Sequence, residues 1–202
     1  MNSSSESDKQ VIERILSTAR QHFFRHGFRG VTMSDLAAEV GVSKKTLYVH
    51  FDSKRDLLLA VVNAKFASLT EDLENAADSK VGFETILHKM LTIIQKQARE
   101  VSPSFIRDLM RETPEIFENF RKRRQRLIAD TFSELLRQGQ KEKAVRRDVP
   151  IDFQVDILLA AVHGAATPQK VIELDASPGK LVHDILTIFL EGALIKKKGK
   201  RA

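Results

Sequence analysis

The residues best suited to chemistry lie in one short run. In MSDLAAEVGVSKKTLYVHF, residues 33–51, the stretch after Gly41 gathers Ser43, Lys44, Lys45, Thr46, Tyr48 and His50. Each can form a hydrogen bond or carry positive charge. Major-groove base edges present donors and acceptors, and flanking phosphates attract cations and hydroxyls, so this set matches duplex nucleic acid. Other chemistries lack their parts. His22 and His26 stand four residues apart, a spacing that can hold a metal, but no third ligand or intervening Glu accompanies them. Solvent-facing histidines explain them better, and neither a metal nor a cofactor is expected. The absence of Cys removes thiolate zinc sites, thiol nucleophiles and disulfides. With no G-x-S-x-G elbow, Gly-rich phosphate loop or paired carboxylates, nothing in the sequence supports an enzyme.

The elements that must hold the run in place are legible around it. Thr32 is a good N-cap for a helix over 33–40, with Asp35 at its third position to complement the amide dipoles. Ala37 is small where two helices must cross, and Gly41 permits the positive φ of a tight turn. Ser43 caps a second short helix, and Ser53 caps the next element. Leu36, Val40, Val42 and Leu47 lock the pair and leave the second helix projecting. The result is a helix-turn-helix. The competing reading, a helical hairpin inside a core, gives no reason to expose so short a polar helix.

The rest of the chain also reads as helical, because apolar residues recur at three- and four-residue spacing and strand alternation is scarce. Ile12, Ile15, Leu16, Ala19 and Phe23 form the first stripe, ended by Gly27. A long helix is expected from Lys54 to about Asp78, followed by helices around Phe83 to Ile94, from Pro103, and from Pro114 to Gly139. Two more cover about 150–166 and 178–197. The fold class is all-α with about nine helices, divided into residues 1–55 and residues 56–202.

Charge is weaker support. The net charge is +6, yet residues 1–57 hold nine Lys/Arg against seven Asp/Glu, whereas residues 121–147 hold ten against three. The run RKRRQR at 121–126 reads as a solvated helix face, with a second nucleic-acid patch as a minor alternative. The polar N-terminus lacks a secretory layout and no run approaches a membrane span, so a soluble, intracellular protein with no membrane partner is expected.

The run from Ala19 through Phe24, Gly27, Thr32, Asp35, Leu36, Ala37, Gly41, Val42, Thr46, Leu47, Tyr48, His50, Phe51 and Lys54 resembles the N-terminal signature of the TetR family of bacterial regulators. RRDVPIDF, after Gly139, resembles the family's entry into its eighth helix more loosely. The resemblance implies a cytoplasmic, nucleoid-associated bacterial regulator and assigns roles at matching positions. Thr32, Ser34, Tyr48 and Lys54 would contact phosphate, and residues Ser43, Lys44, Lys45 and Thr46 would face bases. His50 either touches DNA or packs back on the first helix. Founding members carry Pro where this chain has Lys45, so the operator sequence does not transfer.

The resemblance further implies a homodimer through the last two helices and a cavity for a small apolar effector. Phe153, Ile157, Ala160, Ala161 and Gly164 form one stripe, and Leu181, Ile185, Ile188, Phe189 and Gly192 another. Burial within one protomer is the alternative. Phe66, Met90, Ile94, Phe105, Leu109, Met110, Phe117, Phe120 and Phe132 are cavity candidates, although each taken singly reads as ordinary core. His163 either orients a ligand or is a satisfied core histidine. The expected function is a repressor released from a pseudo-palindromic double-stranded DNA operator by that effector. The alternative is an architectural or partner-controlled DNA binder with no small-molecule effector.

Overall fold

The computed structural model describes residues 3–77, 81–165, 167–174, 176 and 178–194. Within these, ten helices follow one another: α1 (Ser3–His26), α2 (Met33–Val40), α3 (Lys44–His50), α4 (Lys54–Ala77), α5 (Phe83–Arg99), α6 (Pro103–Glu112), α7 (Pro114–Lys141), α8 (Ile151–Ala165), α9 (Pro168–Glu173) and α10 (Pro178–Ala193). The pairing of Val145 with Leu194 is an isolated bridge rather than a strand. The all-α class and the nine longer helices agree with the sequence reading. The short α9 lies where that reading has a connection. Asp78 and the Lys-rich tail from Lys196 fall outside the described residues.

Contacts divide the chain into two units, Met1–Ser68 with Glu100–Phe120 and Leu69–Arg99 with Arg121–Ala202. The first unit is built on α1, whose Ile15, Ala19 and Phe23 are fully buried with Leu36, Leu47, Leu57 and Leu58. Gly27 ends α1 at φ +84, and its N–H donates to Phe23 O at 2.9 Å. The segment Glu100–Phe120 joins this unit although α5 separates it from α4 in sequence. Phe105 stacks at an angle on Phe24 with centroids 4.9 Å apart, and Ser102 N–H donates to Phe24 O. Phe105 and Leu109 are fully buried there, so both serve core packing.

The second unit has an apolar core drawn from α4, α5, α7, α8 and α10 and centred on Phe83, Phe132, Leu136 and Leu158. Met90 and Phe132 belong to it, and Ile94 packs against its edge. Gly139 admits close approach, since a Cβ there would lie 2.5 Å from Val145 and 2.7 Å from Phe83. α10 packs on α5 and α8. Among the described residues no helix is long and apolar enough to cross a membrane.

Candidate nucleic-acid interface

Hydrogen bonds define both ends of the two short helices. Thr32 is extended at φ −109, its hydroxyl accepts from Asp35 N–H at 3.2 Å, and Asp35 Oδ2 accepts from Thr32 N–H at 3.3 Å and from its hydroxyl at 2.7 Å. This reciprocal box satisfies amides that a helix start leaves without partners. At the other end Gly41 takes φ +76, which lets its N–H and that of Val42 return to the α2 carbonyls. Ser43 starts α3 by accepting from Thr46 N–H at 2.9 Å, and its hydroxyl meets that of Thr46 at 2.8 Å. Ser53 caps α4 in the same way through Asp56 N–H at 3.1 Å.

Leu36, Ala37, Val40 and Leu47 are buried behind these caps, so α3 is anchored by one fully buried leucine and its other positions are left outward. Ser43, Lys44, Lys45 and Tyr48 are exposed, as are Thr32 and Ser34, whereas Thr46 and His50 are half-buried. The Lys44 ammonium lies 6.0 Å from the Tyr48 ring centroid, an i,i+4 pair along the outer face. α1 braces the pair from behind: Arg14 donates to Val40 O, and His22 pairs with Glu39. No group of three or more His, Cys, Asp or Glu residues suited to a metal occurs among the described residues.

Lys54 sits differently from the phosphate contact expected of it. Its ammonium donates to Val31 O at 2.6 Å and lies 4.2 Å from the Phe28 ring centroid. Burial lowers its pKa, while Asp108 and Glu112 act to raise it. The charge therefore ties the start of α4 to the loop before α2. Thr32 is likewise occupied by its box with Asp35.

Sequence reasoning missed the polar residues that bind α6 to this unit. Asp108 accepts from Arg29 N–H at 2.9 Å, and a Cβ at Gly27 would lie 2.5 Å from its Oδ2. Glu100 accepts from Lys65 at 2.6 Å and also pairs with Arg20, so it joins α1 and α4 to the start of the returning segment. Burial acts to raise the Glu100 pKa, but hydrogen bonds from Lys65 and Arg20 prevail and lower it. One signal was available: Lys65 lies four residues after Val61, inside an apolar stripe, and is only 7% exposed. A lysine so placed needs a partner.

The remaining cavity candidates divide between the units. In the first, Phe66 meets Phe120 with centroids 5.0 Å apart, Phe117 is half-buried, and Met110 is 40% exposed. In the second, His163 is exposed and accepts a hydrogen bond at Nδ1 from Arg121 at 3.2 Å, so it is not a core histidine. The run at 121–126 also departs from a uniformly solvated face. Lys122, Arg123 and Arg126 are exposed, whereas Arg121 and Arg124 are half-buried.

Comparison with known proteins agrees with this architecture. Residues 15–61 match the family described as "Bacterial regulatory proteins, tetR family". The repressor AcnR of Corynebacterium diphtheriae is 29% identical over 69% of this chain and 70% of its own length. The repressor DhaR of a Mycobacterium species is 28% identical over 91% of this chain and 92% of its own. In structure, a TetR-family regulator from Agrobacterium tumefaciens superposes with a TM-score of 0.70 at 17% identity, covering 93% of this chain and 100% of that one. Residues 15–61 therefore carry the helix-turn-helix region of the TetR family, and over most of its length the chain is similar to helix-turn-helix transcriptional repressors.

Proposed function

We propose that the protein is a dimeric repressor that leaves its operator when a small apolar molecule binds. The observation that carries this reading is the outward face of α3, where Lys44, Lys45 and Tyr48 stand exposed on a helix fixed by a cap at its start and by buried Leu47. Ser43 to Thr46 meet base edges, and Ser34, Tyr48 and the free amides at the start of α2 meet phosphate. Thr32, Lys54 and His50 position these groups. Such a protein works in the bacterial cytoplasm, where the operator is.

A twofold pair presents two α3 helices to successive major grooves, about 34–36 Å apart. The face of α8 and α10 suits the pairing, because Phe153, Ile157 and Ile188 are 58%, 46% and 73% exposed in the protomer. The effector binds in the second unit, where the cavity candidates Met90, Ile94 and Phe132 lie. Its effect passes along the chain, since α4 leads out of the reading unit and Glu100–Phe120 returns to it. Any shift at either crossing alters the spacing of the reading helices, and with it operator affinity.

The test is footprinting and salt-dependent binding of the purified chain to its own upstream DNA. Lys45→Ala and Tyr48→Phe each weaken binding by about 1 kcal/mol, roughly fivefold, with the fold intact. An unchanged footprint in both variants refutes these contacts. A thermal-shift screen of apolar compounds tests the release, because a ligand specific to the folded state raises the melting temperature by mass action.

A further inference from the structure

The outward face of α3 also carries a side chain that neither donates nor accepts a hydrogen bond. Val49 is 71% exposed, more than Tyr48 at 41%, on a helix whose Leu47 is fully buried. At about 100° per residue, the positions two before and two after Leu47 stand about 160° away from it around the helix. These are Lys45 and Val49, so a lysine and a valine mark the line farthest from the anchor. Lys44 and Tyr48 fall together on one flank of that line, where the ammonium faces the ring.

Folding gives no reason for a valine there. A β-branched side chain loses freedom in a helix and ranks below Ala, Leu, Lys or Glu as a helix former, and at this exposure it gains little from burial. A single apolar side chain elsewhere on a surface needs no explanation. This one shares its line with Lys45, at the centre of the face that is turned outward. Local choices that work against their own element are expected where a surface serves a contact.

The floor of the major groove offers one apolar feature, the C5-methyl of thymine, among hydrogen-bond donors and acceptors. An aliphatic side chain matches that methyl, whereas a cytosine amino group pressed against it would lose water and gain no partner. Lys45 and Val49 are separated by four residues, a rise of about 6 Å, which spans about two base-pair steps of 3.4 Å. The two side chains therefore reach neighbouring bases.

We propose that Val49 reads a thymine methyl in each operator half-site, within about two base pairs of the base that meets Lys45. The inference rests on the DNA-binding reading of α3 and adds to it a specificity-determining residue and the base that residue takes.

The purified full-length protein first enriches duplexes from a pool with about twenty random base pairs, room for two half-sites one turn apart. The enriched duplex is then made with each thymine replaced in turn by deoxyuridine, which removes the methyl and keeps the base pair. Fluorescence anisotropy measures binding by the wild type and by Val49→Ala. At one position in each half-site deoxyuridine weakens the wild type about fourfold, the effect of taking one methyl out of an apolar contact. Val49→Ala binds the thymine duplex more weakly by a similar factor and no longer distinguishes the two bases there. Its salt slope is unchanged because no phosphate contact is lost, and its melting temperature does not fall, since alanine is the better helix former. Val49→Thr, which keeps the branched shape and one methyl, retains part of the discrimination. Deoxyuridine that is neutral at every thymine, or penalties that persist undiminished in Val49→Ala, overturn the assignment and leave α3 as the reading helix. If no duplex is enriched over the starting pool, the DNA-binding reading itself fails and this inference fails with it.

Discussion

The two units differ in how far each satisfies its own groups. In the reading unit the polar side chains around the helix-turn-helix find partners within the unit: Thr32 with Asp35, Ser43 with Thr46, Lys54 with Val31 O, Asp108 with Arg29 N–H, and Glu100 with Lys65 and Arg20. The second unit leaves demands unmet. Gln154 Oε1 is buried with no hydrogen-bond partner, Arg124 has no counter-ion among the described residues, and Phe153 and Ile188 stand in the open. Buried polar groups without partners and exposed apolar faces are costly in an isolated domain. The reading unit thus satisfies its polar groups internally, although Val49 is 71% exposed, whereas the second unit leaves polar groups without partners and apolar side chains in the open.

The sharpest way to break this contrast is to open the reading unit's own network. Glu100→Ala removes a carboxylate that bonds Lys65, which is only 7% exposed. Loss of one partner from a buried pair costs about 3–5 kcal/mol, and partial solvent access to Glu100 brings the expectation to about 2–3 kcal/mol. The measurement is the urea midpoint at neutral pH. Glu100 also titrates with a definite sign. Its carboxyl is held below the usual 4.5 when folded, so the stability it adds is complete above that pH and is lost as the pH falls through the lower folded value. Glu100→Gln should lack this acid-limb dependence. A variant as stable and as acid-sensitive as the wild type would show that the segment starting at Glu100 is not anchored by this triad.

A change of similar or slightly smaller size tests the other side of the contrast. Ile188 is 73% exposed, and a Cβ at Gly192 would meet nothing within 4 Å. Ile188→Asp or Gly192→Leu should leave the protomer's stability within about 0.5 kcal/mol of the wild type. In a dimer packed through α8 and α10, either change should cost about 2 kcal/mol, some thirtyfold in dissociation constant by analytical ultracentrifugation. Dimers that persist unchanged in both variants rule out this face.

The same contrast explains what could be read from sequence. The reader was legible almost residue by residue, because caps, a left-handed glycine and a buried leucine act locally and leave fixed spacings. Thr32, Gly41 and Ser43 each mark a boundary within a few residues of themselves. Glu100, Asp108 and Arg124 were not legible. Their meaning depends on partners between about 35 and 80 residues away, or on the lack of one, and a helical stripe shows that a side chain faces inward without showing what it meets. The position of Lys65 within an apolar stripe announced a need and not its answer. The run at 121–126 misled for a related reason: six consecutive residues cover the whole circumference of a helix, so two of the five cations had to turn toward protein.

The smallest expected effect separates a positioning role from a contact at Thr32. Its hydroxyl accepts from Asp35 N–H and donates to Asp35 Oδ2, which leaves little capacity for a phosphate. Thr32→Ala removes the cap and should lower stability by about 1 kcal/mol, with a loss of operator affinity that follows from fraying of α2. Thr32→Asn keeps a capping acceptor but lacks the hydroxyl, so both stability and affinity should stay close to the wild type. If the Asn variant melts normally and yet binds operator severalfold more weakly, the hydroxyl itself touches DNA. The reading unit would then hold one of its groups in reserve for its target, and the contrast between the units would be one of degree.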